Sequence, residues 1–208
     1  MNKLLENNQV TINGRIISDF SYSHEIAGEK FYIVYVEIQR KSGIFDVLPV
    51  MVSNRLIDTK QNYAGSIVNI LGQYRSFDYH TKEKSMLLLS VYALEVEFCD
   101  YLSESYENNK VLLCGVICKN PVYRTTPLGR EIADVLIAVN RSYGKSDYIP
   151  CICWGRSAIF ADKLTVGTKI ELVGRIQSRN YKKILPDGLE IIKTAYEVSV
   201  SKMQVQDE

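Results

Sequence analysis

The stretch YIPCICWGRS, residues 148–157, sets two large rings six residues apart, Tyr148 and Trp154, the latter the only tryptophan in the chain. Side chains alternate faces along a strand, so Tyr148, Ile152 and Trp154 share one side and Ile149, Cys151 and Cys153 the other. A compact face of isoleucine and cysteine suits a core, which leaves the rings free to stack on a flat ligand. A second row repeats the logic: Arg175, Gln177, Arg179, Tyr181 and Lys183 share one parity, a line of donors ending in a ring. Aromatics on one face are more often core than platform. Here the small apolar residues opposite and the basic row alongside reverse that expectation.

Other chemistry finds little support. Cys114, Cys118, Cys151 and Cys153 are spaced i,i+4 and i,i+2, unlike the short knuckles of zinc sites, and only His24 and His80 could assist. The expectation is buried thiols, with no metal and no cofactor. No glycine-rich phosphate loop follows a strand, and no paired acids or Ser-His-Asp arrangement stands out, so the chain reads as a binding protein and not an enzyme. Gly28, Gly129, Gly144 and Gly188 fit turns, where positive φ costs glycine little.

The 208 residues allow one large domain or two small ones. The longest apolar stretch, Met86 to Val96, is far short of a membrane helix, and the N-terminus lacks the apolar core of a signal peptide. A cytoplasmic protein without membrane partners is expected, its five cysteines reduced. Net charge is +1 overall but uneven: residues 1–104 carry −3 and residues 105–208 carry +4. That asymmetry alone is a weak pointer to a polyanion.

The elements that must position these residues are written twice. A shift of 101 positions aligns residues 6–55 with 107–156 without a gap. Identities include Asn7/Asn108, Asn8/Asn109, Val10/Val111, Gly14/Gly115, Arg40/Arg141, Asp46/Asp147 and Arg55/Arg156. Small insertions then restore Gly72/Gly174, Ser76/Ser178, Tyr79/Tyr181 and Tyr92/Tyr196. Strand patterns cover 9–18, 31–41, 45–53, 66–76 and 86–97, with counterparts at 110–119, 132–142, 147–154, 168–179 and 189–200. A helical stretch at 157–164, matched less clearly by 54–63, separates the third and fourth strands. That order predicts an all-β chain of two tandem OB-folds, each a five-stranded Greek-key barrel with a short helix between strands 3 and 4; another small barrel or sandwich is the alternative. The expected division is residues 1–100, a polar linker over 101–109, residues 110–203 and a short tail over 204–208.

The second copy resembles the bacterial single-stranded DNA-binding protein family almost end to end. The matching pieces are NKVLLCG, NPVYRTTPLG, AVNR, CICWGR, the helix after it, and VGRIQSRNY. The first copy is similar only through the internal alignment. The resemblance implies stacking of bases with little sequence preference, in replication, recombination or repair. It puts the family's four aromatic positions on Tyr143, Tyr148, Trp154 and Tyr181. Arg124, Arg141, Arg156, Arg175, Arg179 and Lys182 are the expected phosphate contacts, since cations neutralise the backbone. Since Arg141 and Arg156 have partners at Arg40 and Arg55, a role in the fold is an equal alternative for them. The first copy has Ser42, Val47 and Ser53 opposite Tyr143, Tyr148 and Trp154, so its face is degenerate, with Arg75, Phe77 and Tyr79 as a secondary site.

Family members commonly assemble four OB-folds, which implies a homodimer of this chain. They also end in an acidic tail with an apolar tip that recruits partner enzymes. This chain ends in KMQVQDE, so tail-mediated recruitment is not expected and an accessory or mobile-element version is favoured. Two rival readings stay open: a protein–protein module of a primosome or recombination assembly, and a binder of single-stranded RNA.

Overall fold

Alternating β-branched and small residues build the molecule almost entirely from strands. The computed structural model describes residues 7–80, 85–103, 108–185 and 188–206. The first module contains β1 (Asn8–Ile16), β2 (Ser21–Ile26), β3 (Glu29–Gln39), β4 (Phe45–Ser53), β5 (Ile67–His80) and β6 (Ser85–Cys99). The second contains β7 (Asn109–Thr125), β8 (Glu131–Asn140), β9 (Ser146–Trp154), α1 (Arg156–Asp162), β10 (Lys169–Ile184) and β11 (Glu190–Val205).

Each module closes on itself. In the second, β7 pairs with β8 and β10, β8 with β9, β10 with β11, and β9 runs parallel to β11. In the first, β1 pairs with β3 and β5, β3 with β4, β5 with β6, and β4 runs parallel to β6. These are two tandem OB-folds. The first OB strand bends sharply in both. In the second module it bends through register shifts between Ile117 and Val122, where Pro121 removes a ladder donor. In the first the strand breaks outright, giving β2 as a separate element that the apolar pattern does not show, because its side chains are mostly exposed.

The helix expected over 157–164 forms as α1, with Ala158 and Ala161 buried against the barrel. The one expected over 54–63 does not. There, Asp58 accepts from the Lys60 N–H and the Gln61 side chain, and Asn62 accepts from the Ala64 N–H. Short polar side chains thus satisfy donors that a helix would have used. β10 runs past its expected end and pairs with the start of β11 as a ribbon leaving the barrel, ladder Arg179↔Ala195 to Ile184↔Glu190, while β11 runs on to Val205 beside Ile170. The ribbon is largely exposed, so it carries no apolar alternation.

The modules join through β1 and β7, antiparallel, with Val10 opposite Val111, its own sequence counterpart. A pseudo-twofold axis therefore passes between them. Both valines are fully buried, and one apolar cluster runs through both barrels.

Candidate nucleic-acid interface

The parity of β9 holds in three dimensions. Ile149, Cys151 and Cys153 are buried, while on the opposite face Tyr148 is 43 % and Trp154 38 % exposed and Ile152 between them is buried. Burial in apolar surroundings pushes the Cys153 thiol up to about 12 and Cys151 well above its ordinary value, so both are neutral packing groups. Trp154 is held in orientation: its Nε1–H donates to the Ser199 hydroxyl on β11 at 3.2 Å. Across the sheet Trp154 faces Ile132, which faces Arg124, and Ile152 lies between Ser199 and Asp134. One face of β7, β8, β9 and β11 therefore carries a ring with a cation two strands away, flanking the buried Ile132 and Ile152.

Of the expected cations, several sit in ion pairs, exposed on both sides for Arg124 and Lys182 and with a largely buried carboxylate for Arg179. Arg124 grips Asp134 at 2.9 and 3.3 Å, a hydrogen bond that raises its pKa. Arg179 lies 3.8 Å from Glu197 and Lys182 2.9 Å from Glu190. Arg156 opens α1, exposed and without an ion pair among the described residues. Tyr181 is 39 % exposed on the β10 ribbon, opposite Lys193.

Arg141 is different. Its guanidinium engages the buried Asp147 and donates to the Ser76 carbonyl of the first module at 2.6 Å. Asp147 in turn accepts from the Ser76 N–H at 2.6 Å, and the Ser76 hydroxyl accepts from the Tyr148 N–H at 2.8 Å. The symmetric set is complete: Arg40 pairs with buried Asp46 at 2.5 Å and donates to the Ser178 carbonyl at 3.0 Å, and Asp46 accepts from the Ser178 N–H at 2.7 Å. Asn7 donates to the Asn140 carbonyl and Asn108 to the Gln39 carbonyl. These are the polar identities of the internal repeat, and that retention was the available signal for the seam. Arg175 joins it too, 3.2 Å from Asp46, its pKa lowered by burial and by Arg40. An open groove of about 850 Å³ beside it is lined by Arg40, Lys41, Ser42, Lys110, Arg175 and Ser201.

The expected residues thus divide between the sheet face of the second module and the seam. Tyr143 falls in a 3-10 turn, Ser142–Gly144, on the loop that Arg141 ties to the first module. The side chains of Tyr143 and Tyr79 lie outside the described residues. Phe77 lies 5.2 Å from the Arg141 guanidinium, so part of the expected secondary site meets the second module's loop. The first module also holds rings that the linear alignment does not group: Arg75 lies 4.0 Å over Tyr92, Phe31 is 5.9 Å from the same ring, and His24 stacks on Phe31 at 5.0 Å. Ring against ring is an offset or tilted contact of ordinary strength.

The geometry has relatives. The Single-strand binding protein family matches over residues 108–206. Single-stranded DNA-binding protein 1 of Staphylococcus aureus (strain COL) is 38% identical over 81 residues, 36% of this chain and 48% of that protein. Single-stranded DNA-binding protein A of Bacillus subtilis (strain 168) is 37% identical over 81 residues, 36% of this chain and 47% of that protein. The matches span about half the length of these relatives. The crystal structure of the wild-type single-stranded DNA binding protein from Thermus aquaticus superposes over 97% of this chain and 93% of that one, TM-score 0.75 at 16% identity. That likeness extends the shared fold to both modules. The second module belongs to the single-strand binding protein family.

Proposed function

We propose that the chain binds single-stranded DNA with little sequence preference, serving replication, recombination or repair, and performs no catalysis. The observation that carries this reading is Trp154, exposed on a sheet face, fixed by Ser199 and flanked by cations. Tyr148, Trp154 and Tyr181, with Tyr143 on its loop, stack bases at about 1–3 kcal/mol each. Arg124, Arg156, Arg179 and Lys182 hold phosphates, with Arg175 reaching the backbone from the seam groove. Exposed ion pairs are worth only about 0–1 kcal/mol, so Arg124 and Lys182 can exchange a carboxylate for a phosphate at little cost. Arg179 would leave the largely buried Glu197, which keeps the Gln177 side chain as a donor. Arg141 has a supporting part instead, because its guanidinium is committed to Asp147 and Ser76.

Titration with oligo-dT while following Trp154 fluorescence tests the reading. Quenching that weakens with salt is expected, since each phosphate neutralised releases counterions. An unchanged signal at low salt would leave the protein–protein reading in possession. Competition with oligo-U separates DNA from RNA. We also propose that two chains associate to present four OB-folds; light scattering at twice 23.7 kDa is the expected result, and a monomer mass at assay concentration overturns it.

A further inference from the structure

Between the two modules, two exchanges run in opposite directions. In the second, Trp154 on β9 leans on Ser199 of β11. In the first, the sequence counterpart of Trp154 is Ser53. The residue standing where Ser199 stands is Tyr92, since Met51 pairs with Tyr92 as Ile152 pairs with Ser199. The glycines agree: a Cβ on Gly72 would run into the Tyr92 carbonyl, and one on Gly174 into the Ser199 carbonyl. Large and small have changed strands. The same holds for the polar pair: Arg175–Gln177 on β10 becomes Gln73–Arg75 on β5, and in both the arginine donates to the glutamine.

The two exchanges together bring a ring and a guanidinium into contact on the sheet of the first module. Arg75 lies 4.0 Å over Tyr92, while Phe31, which faces Ser53 across β3 and β4, packs beside the ring with His24 stacked on it. Tyr92 and His24 are only half-buried, so part of each ring is open. Filling a core would not require a cation here. Arg75 is desolvated, sits near Arg141, and forms no ion pair among the described residues, while Asp147, the nearby carboxylate, is taken up by Arg141 and Ser76. The excess positive charge calls for an anion.

We propose that Tyr92, with Arg75 and His24, forms a second base-stacking site for single-stranded DNA, built on the first module from different strands than the Trp154 site. It rests on the DNA-binding reading above. Two residues beyond Arg75, Phe77 lies against Arg141, and the Tyr148 N–H is bonded to the adjacent Ser76, so one strand crossing the seam meets both sites.

The test uses the full chain. Trp154→Phe keeps a ring in the second module and removes the native fluorophore; adding Tyr92→Trp then puts the sole tryptophan at the proposed site. A long oligo-dT is titrated while its own label reports binding by anisotropy. Emission is expected to quench in step with anisotropy. Against the otherwise native chain, Tyr92→Ser, which copies the tolerated Ser199, should weaken binding about fivefold or more and Tyr92→Phe should not. Binding by anisotropy with unchanged emission, or a folded Tyr92→Ser chain within about twofold of native, overturns the site and leaves the DNA reading standing. If Tyr92→Ser does not fold, the emission decides. A native chain that gives no anisotropy rise overturns both.

Discussion

The backbone N–H of Ser76 donates to the carboxylate of Asp147 across the seam at 2.6 Å, joining residues from different modules. The mirror contact, Ser178 to Asp46, measures 2.7 Å. Each aspartate is 1 % exposed and also carries the arginine of its own loop. The seam is therefore specified by charge and by hydrogen bonds as well as by the β1/β7 ladder.

Asp147→Ala leaves the Ser76 N–H without its acceptor and Arg141 with only the Ser76 carbonyl among the described residues. Breaking a buried pair costs about 3–5 kcal/mol, whereas Asp134→Ala, which removes an exposed pair with Arg124, should cost about 1 kcal/mol or less. Urea unfolding of both variants checks this. Equal losses would show that the seam aspartate is not a stabilising centre.

Ala27 and Gly28 form the two-residue loop between Ile26 and Glu29, and both have positive φ, 49° and 81°. A left-handed alanine costs roughly 1 kcal/mol, and such hairpin loops favour Asn-Gly or Gly-Gly. Ala27→Asn should raise stability by about 0.5–1 kcal/mol, read as an upward shift in the urea midpoint at unchanged slope. A lower midpoint contradicts the strain argument.

Alkaline pH should destabilise the chain through its buried thiols. Cys153 is raised from 9.0 to about 12 in the folded state. Its stabilising effect is complete below pH 9, where both states hold the proton. It is lost as pH rises from 9 toward 12, because only the unfolded chain then releases it. Tyr196, raised from 10.0 to about 12 by burial, acts in the same direction at the upper end. Cys153→Ala should flatten the decline between pH 9 and 11 in denaturant melts; an unchanged slope would deny the linkage. Both core cysteines should also resist a thiol reagent at pH 8 until the protein is unfolded.

Trp154→Ala should lower oligo-dT affinity by about 1–3 kcal/mol while Ser199→Ala, which frees the indole without removing it, should cost less. Arg156→Ala should reduce the slope of log affinity against log salt by about one. Anisotropy titrations at several salt concentrations measure all three. Equal effects of Trp154→Ala and Ser199→Ala would mean that the orientation of the ring, and not its area, carries binding.

The internal repeat, the strand order and the two faces of β9 were legible in the linear chain, because alternation and self-similarity are local patterns. The repeat even kept the seam residues as identities, although nothing in the sequence says that Arg40, Asp46 and Ser178 meet. The missing helix over 54–63 was not readable either, since Asp58 and Asn62 settle the backbone donors by contacts two or three residues away, which propensity does not register. The alignment of Tyr92 with Tyr196 came from sequence spacing, yet parallel pairing matches Tyr92 with Ser199. The β5/β6 and β10/β11 ribbons differ in length, so spacing slips there, while the ladder back to the barrel is fixed by buried partners such as Val50↔Val91 and Cys151↔Val198. Sequence alone determined which residues are written twice and that Ile149, Cys151 and Cys153 of β9 face the core. The tertiary structure decided which side chains become neighbours, because long-range strand pairing and buried charge, set only when both barrels close, place a ring from β6 where the other copy uses β9.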